Sequence, residues 1–379
     1  MMKSVLIIAG EASGDLHGAA LIKELKKLDS DLNFYGIGGN KMKSNGMELI
    51  YHSDRMSFLG FVEVVKHLPF IRKVQKELLD EVKIRKTKFA ILIDYPGFNI
   101  SIAKKLKALG VEIFYYISPQ VWAWGKGRVK KIRKLVSKML VVFPFEENFY
   151  KEKNVDAEFV GHPLIRELIE YNYLSKNELI NKFGLLPDKE ILLLLPGSRK
   201  HEVKDIFPAI YEAAQNIAQK FNFQIVVACA SSVDESLLRE TVKENDYKII
   251  SGYTYDLMKH SKFGIIKSGT STLEAGLLNL PMIIVYKASA LTYFIGKNLV
   301  KLDNIGIVNI LLGKTLLPEL IQNDVKSEKI FQEAEKILSN TEKYNSIKTE
   351  LNKLHEILGN KNAAENAARI IYDLINEKS

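Results

Sequence analysis

The sequence predicts an α/β fold: two Rossmann-like parallel-sheet domains facing a cleft. Three observations predict it. Short apolar runs alternate with helical patterns through the first half of the chain. A polar, partly helical stretch, "VGHPLIRELIEYNYLSKNELINKFGLLPDKE", then interrupts them. A second series of the same kind begins at "ILLLLPGSR". Strands separated by helices make right-handed crossovers and therefore parallel sheets. Ligands of such sheets bind beyond the C-terminal ends of the strands. The expected division is 1–168, 169–345 and a helical tail, 346–379, that packs back across the domain junction.

The 379 residues are 47% hydrophobic and 26% charged, a globular composition. The single cysteine, Cys229, excludes a disulfide framework and a cysteine-based zinc site. It lies in the apolar run "FQIVVACA" and reads as a buried thiol. No leader is read before the first strand, and no apolar run reaches the roughly 18–20 residues of a membrane span. A cytoplasmic protein is expected. Lys plus Arg number 54 against 45 Asp plus Glu, a net charge of +9 that favours anionic partners.

In the first half the strand candidates are "SVLIIAG", "NFYGIGG", "FAILIDYP", "VEIFYYIS", "KMLVVFPF" and "AEFVG", with helices between most of them, as at 19–28 and 100–109. The first strand runs into "AGEASGDLHGA", read as a turn carrying Gly10, Gly14 and Gly18 together with Glu11, Asp15 and His17. It is not a Walker A loop, since no Gly-Lys-Ser/Thr closes it, nor a dinucleotide fingerprint, since the glycines are spaced by four. Titratable groups at a strand's C-terminal end point to a site; small residues for packing are the alternative, above all at Gly18. "ILIDYPGFN" ends a strand in Asp94, either a group facing the cleft or a helix cap. "SPQVWAWGKGRVKKIRK" sets Trp122 and Trp124 on one side of an extended segment. They suit sugar stacking, core packing or a lipid interface. The basic run after them reads as a solvated helix face. Between 56 and 73, Phe58, Leu59, Phe61, Val62, Val65, Leu68 and Phe70 interleave with Arg72 and Lys73. That mixture fits either a surface meeting anionic lipid or a buried helix pair.

The second half reads as "ILLLLPGSR", "FQIVVACA", "YKIISG", "FGIIKSGTST" and "PMIIVY". Arg199, on a Pro-Gly turn, is placed to grip a phosphate with paired hydrogen bonds. Ser268, Gly269, Thr270, Ser271 and Thr272 at the start of a helix make a phosphate cradle. Glu274, one turn further, can accept hydrogen bonds from ribose hydroxyls. The metal signal is weak: "DSD" at 29–31 falls at the wrong end of the sheet.

Together these blocks resemble the lipid-A-disaccharide synthase family. They are "AGEASGDLHGA", "GIGG", "IDYPGFN", "YISPQVWAWGKGRVKKI", "FPFEENFY", "VGHPL", "LLPGSR", "SGTSTLEAGLLNLPMIIVY" and "NILLGKTLLPELIQ". Gln120 stands where the family often has Ser. The resemblance implies a glycosyltransferase of GT-B type, inverting and independent of metal or other cofactor. Its donor would be UDP-2,3-diacylglucosamine and its acceptor 2,3-diacylglucosamine 1-phosphate. The products would be a β-1,6-linked disaccharide 1-phosphate and UDP. It places Asp94 first as general base, with Asp15, His17 and Glu11 as nearby candidates. Arg199, Glu274 and Asn309 go around the donor nucleotide. The first domain becomes the acceptor- and membrane-facing half, with Gly14, Gln120, Trp122 and Trp124 on its acceptor side. The setting implied is lipopolysaccharide synthesis, peripheral on the cytoplasmic face of a Gram-negative inner membrane. Some members swap the tail in a homodimer, which stays open here. The rivals are another UDP-sugar enzyme, either the muropeptide glycosyltransferase or a UDP-N-acetylglucosamine 2-epimerase, and a nucleic-acid-binding module. The last finds no RNP, helix-turn-helix or zinc pattern.

Overall fold

The first sheet is seven parallel strands: β1 Ser4–Ala9, β2 Asn33–Gly38, β3 Met47–His52, β4 Phe89–Ile93, β5 Glu112–Tyr116, β6 Lys138–Val141 and β7 Ala157–Phe159. Their spatial order is β3-β2-β1-β4-β5-β6-β7. A second sheet holds β8 Glu190–Leu195, β9 Phe223–Cys229, β10 Tyr247–Ser251, β11 Phe263–Lys267, β12 Met282–Tyr286 and β13 Glu319–Ile321, all parallel, in the order β10-β9-β8-β11-β12-β13. These come from a computed structural model that describes residues 3–56, 67–119, 121, 126–244, 246–288, 304–359 and 361–377.

Central strands buried on both faces need unbroken apolar sequence. Accordingly Val5 to Ala9 and Phe89 to Ile93 are all buried. Each Val, Leu, Ile or Phe side chain so withheld from water contributes about 1.5–3 kcal/mol. In both sheets the strand order reverses once, between β1 and β4 and between β8 and β11. At such a point the neighbouring crossovers run to opposite sides, and the loops beyond the strand ends part to leave a crevice. Cys229 is buried, its Sγ 3.3 Å from the Val233 carbonyl oxygen.

Each sheet belongs to its own unit. One comprises Met1–Arg166 with Leu358–Ser379, the other Glu167–Ile357. The expected tail, 346–379, therefore divides differently. Helix Thr341–Leu358 stays with the second unit, where Leu351 and Leu354 are fully buried beside Gly276. Only helix Ala363–Glu377 returns to the first unit. It packs on helix Ala12–Leu28 through an apolar stripe that includes Ala367, Ala368, Ile371 and Ile375. Lys3 Nζ donates to Asn376 Oδ1 at 2.8 Å, and Asn366 Nδ2 to the Val160 carbonyl at 3.0 Å.

The opening turn also differs from expectation. Helix Ala12–Leu28 starts just after Gly10, with Glu11 in the N-cap position. Gly14, Asp15, His17 and Gly18 are thus helical, not loop residues. The helix can start early because its small residues admit close neighbours. A Cβ on Gly14 would lie 3.1 Å from that of Ala9, and one on Gly18 2.7 Å from Met42 Sδ.

Candidate active site

Asp94 leaves β4 at the first reversal point, beside the end of β1. The register pairs Ala9 with Ile93, so Gly10 and Asp94 are the next residues out on adjacent strands. The backbone there is strained. Asp94 has φ 41° and Tyr95 φ 46°, two successive non-glycine residues in the left-handed region, a conformation that persists only where surroundings enforce it. The Asp94 N–H donates to the Tyr116 carbonyl at 3.2 Å. Asn99 Nδ2 donates to the Ile93 and Asp94 carbonyls at 3.1 and 2.8 Å, and the Tyr115 hydroxyl donates to the Asp94 carbonyl at 2.5 Å. The Tyr95 ring crowds Gly10, where a Cβ would come within 2.4 Å of it. Its hydroxyl donates to the Met56 carbonyl at 2.7 Å.

The Asp94 carboxyl titrates at about 6, pushed up first by burial and then by the negative charge of Glu11, with the Tyr95 N–H opposing. A carboxylate raised this far is a competent proton acceptor near neutral pH.

The other acidic candidates behave differently. Glu11 is exposed. Asp15 is buried, and its carboxylate is committed to backbone: Oδ1 accepts from the Gly39 and Met42 N–H groups at 2.7 and 3.0 Å, Oδ2 from that of Lys41 at 3.1 Å. It caps the short helix Asn40–Ser44. His17 is lowered to about 4 by burial and the charge of Lys41. His162, in "VGHPL", is lowered further, to about 3, by burial and then by His17. Its Nδ1 accepts from the Leu164 N–H at 3.2 Å, which assigns the neutral tautomer with the proton on Nε2. Its ring tilts against Phe143, centroids 4.9 Å apart. Single-residue reading passed over His162; the block "VGHPL", a histidine held before a proline at the exit of β7, was its only signal.

The second unit repeats the geometry. The turn after β8 carries Pro196, Gly197, Ser198 and Arg199, and Arg199 is exposed at the N-cap of helix Lys200–Phe221. Beside it, β11 runs into Ser268 and Gly269 and then helix Thr270–Leu277. Thr270 is exposed, whereas the Thr272 hydroxyl donates to the Gly269 carbonyl at 2.7 Å and that of Ser271 to the Lys267 carbonyl at 3.4 Å. Those two hydroxyls shape the turn. Glu274 titrates at about 7, raised by burial and then by the charge of Glu167, with the Tyr255 hydroxyl opposing. Tyr255 in turn donates to Glu167 Oε1 at 3.1 Å.

Asn309, expected around the donor nucleotide, lies in the short helix Ile307–Leu312. It is fully buried, with its amide satisfied on both sides. Nδ2 donates to the Leu317 carbonyl at 2.9 Å and to Glu319 Oε1 at 2.7 Å, and Oδ1 accepts from the Leu316 and Leu317 N–H groups at 3.0 Å each. It organises its loop from within.

Gln120, Trp122, Trp124, Phe58, Leu59, Phe61, Val62 and Val65 lie outside the described residues. Of the remaining apolar patch, Leu68 is 38% exposed at the start of helix Leu68–Ile84, and Arg72 and Lys73 are exposed on it. Phe70 turns inward, edge-on to Tyr51 at 5.9 Å. Helix Lys126–Leu135 buries Val129 and Ile132 and exposes Arg128, Lys130, Lys131, Arg133 and Lys134. Among the described residues no helix is long and apolar enough to cross a membrane.

Structures sharing this fold include a UDP-GlcNAc 2-epimerase from Neisseria meningitidis bound to UDP-GlcNAc (TM-score 0.66, 13% identity, 99% of this chain and 100% of that one). The calicheamicin glycosyltransferase CalG4 is another (TM-score 0.62, 12% identity, all of both chains). At such identities the likeness bears on fold alone, two Rossmann-like domains. Sequence relatives say more. The lipid-A-disaccharide synthase of Syntrophus aciditrophicus is 42% identical over 98% of each chain. That of Geobacter metallireducens is 40% identical over 99% of this chain and 98% of its own. The family model for lipid-A-disaccharide synthetase matches residues 5–372. Matched nearly end to end by the family model and by relatives of full length, the chain belongs to the lipid-A-disaccharide synthetase family.

Proposed function

We propose that the chain is an inverting glycosyltransferase that joins UDP-2,3-diacylglucosamine to 2,3-diacylglucosamine 1-phosphate. The products are the β-1,6-linked lipid A disaccharide 1-phosphate and UDP. The observation that carries the reading is Asp94, a carboxylate at about 6 on a strained turn where the sheet order reverses. As base it takes the proton of the acceptor 6-hydroxyl. That oxygen bonds to the donor's anomeric carbon from the face opposite the leaving group, and the carbon–oxygen bond to the diphosphate breaks. UDP leaves with the electron pair. The charge it gathers is stabilised by Arg199 and by the N–H groups that open helices Lys200–Phe221 and Thr270–Leu277. No metal or other cofactor enters this scheme. Glu274, half protonated near neutral pH, suits hydrogen bonding to a ribose diol.

The reading includes peripheral attachment at the cytoplasmic face of the inner membrane. The outward Leu68, Arg72 and Lys73 and the cationic face of helix Lys126–Leu135 support it, by burying apolar surface and by meeting lipid phosphates.

Incubation with both lipid substrates in EDTA, followed by mass detection, tests the reaction. Disaccharide 1-phosphate and UDP are expected. No product even without EDTA refutes the activity, and product only without EDTA refutes metal independence.

A further inference from the structure

The second unit holds an ion pair, a buried carboxylate with a largely buried lysine, that has no part in the scheme above. Glu202 lies in the first turn of helix Lys200–Phe221 and is 5% exposed. Lys267 is the last residue of β11. Its Nζ stands 2.8 Å from Glu202 Oε1, with the lysine side chain 18% exposed. The other carboxylate oxygen accepts from the Ser198 N–H at 3.1 Å. Gly197 has φ +128°, and a Cβ there would meet that same oxygen at 2.6 Å, so only glycine lets the turn close over the carboxylate. From outside, the Ser232 hydroxyl donates to the Ser198 carbonyl at 2.7 Å.

These contacts span the reversal point of the second sheet. Leu195 of β8 pairs with Ile266 of β11. The turn holding Arg199 and the turn beginning at Ser268 therefore leave adjacent strands, and Glu202 and Lys267 tie one to the other.

Stability alone does not account for the pair. A buried ion pair gains little over an apolar pair of the same volume, because desolvation offsets the attraction. Site chemistry argues further. A carboxylate next to the exit of Arg199 would repel an incoming phosphate, yet here it is matched by an ammonium group. Its negative charge is spent inside the protein, and its hydrogen bond fixes the turn. Lysine, a compact point charge, reaches across from the neighbouring strand.

We propose that Glu202 and Lys267 are positioning residues for the donor: the pair locks turn 196–199 to turn 268–272 so that both face one nucleotide diphosphate. This rests on the donor reading given above. The experiment measures UDP affinity by calorimetry, donor and acceptor KM, kcat and thermal midpoint for wild type, Glu202→Gln, Lys267→Met, the double variant and Lys267→Arg. Glu202→Gln keeps the acceptor for Ser198, and Lys267→Arg keeps the ion pair, so both retain the fold. Glu202→Gln and Lys267→Met should each weaken UDP binding by about tenfold and raise donor KM with acceptor KM unchanged. Lys267→Arg should restore most of it. Lys267→Met should be worse than the double variant, because it strands a buried carboxylate. Lower thermal midpoints with wild-type UDP affinity and donor KM would overturn the proposal and leave a purely structural pair. Wild-type protein that does not bind UDP would instead overturn the donor reading itself.

Discussion

Asp94 shows how much a single position can carry. Its burial penalises the charged form, so its value lies above the 3.8 of an ordinary aspartate, at about 6. The active form of a base is deprotonated; kcat/KM should therefore fall as pH drops through about 6, an acid limb that a pH–rate profile reads directly. The same shift has a cost in stability. Above pH 6 the folded state holds a charge that burial disfavours, and the penalty is relieved as pH falls from 6 toward 3.8. Asp94→Asn should accordingly lower kcat by roughly 10²–10⁴-fold, leave UDP affinity near wild type and raise the thermal midpoint. Near-normal turnover would refute the base assignment. Gly10→Ala should force the Tyr95 ring away, destabilising by about 1–3 kcal/mol and reducing kcat through Asp94; denaturant melts and steady-state kinetics test both. The positions of Asp94 and Arg199 were legible in the sequence because Asp94 follows a plain apolar strand and precedes a Pro-Gly turn, and Arg199 closes the Pro-Gly-Ser turn that follows another. The hydrogen bonds of Asp15 and Asn309 were not, because they depend on backbone groups that only folding brings to them, such as the amides of Gly39 and Met42 for Asp15.

Elements were legible in proportion to their burial. The central strands announce themselves as unbroken apolar runs. β3, an edge strand with only Met47 and Tyr51 buried, pairs with β2 through a register shift between Gly36 and Ile37, and "MELIYH" was not among the strand candidates. β13, three residues long, is too short to carry a pattern. The first helix was placed too late because three glycines argue for a loop, whereas tertiary packing decides for helix. Two imidazoles, His17 on that helix and His162 just before helix Pro163–Glu170, impose a pH rule. Folded, they titrate at about 4 and about 3, against 6.5 ordinarily. Between pH 6.5 and 4 the unfolded chain binds protons that the folded chain refuses, so these histidines make stability fall as pH falls. His162→Asn, which keeps an acceptor for the Leu164 N–H, should flatten that decline. Unfolding midpoints from pH 7 to 4, measured in an Asp94→Asn/Glu274→Gln background to remove the two opposing carboxylates, check it.

At the scale of the whole molecule, the two parallel sheets followed from the alternation of apolar runs and helices. The course of the tail did not, since nothing local distinguishes a helix that stays, Thr341–Leu358, from one that returns, Ala363–Glu377. Removing residues 363–377 should lower the melting temperature of the first unit, by uncovering the face of helix Ala12–Leu28, and leave UDP binding by the second intact; calorimetric scans with and without UDP separate the two. The returning helix also sets an order of assembly. A ribosome delivers all of the second unit before the last piece of the first, so the first unit must wait, incomplete, while the second is finished. A circularly permuted gene that began with this helix and ran on into Lys3 would remove the wait, and the order in which the halves become protease-resistant during synthesis would invert.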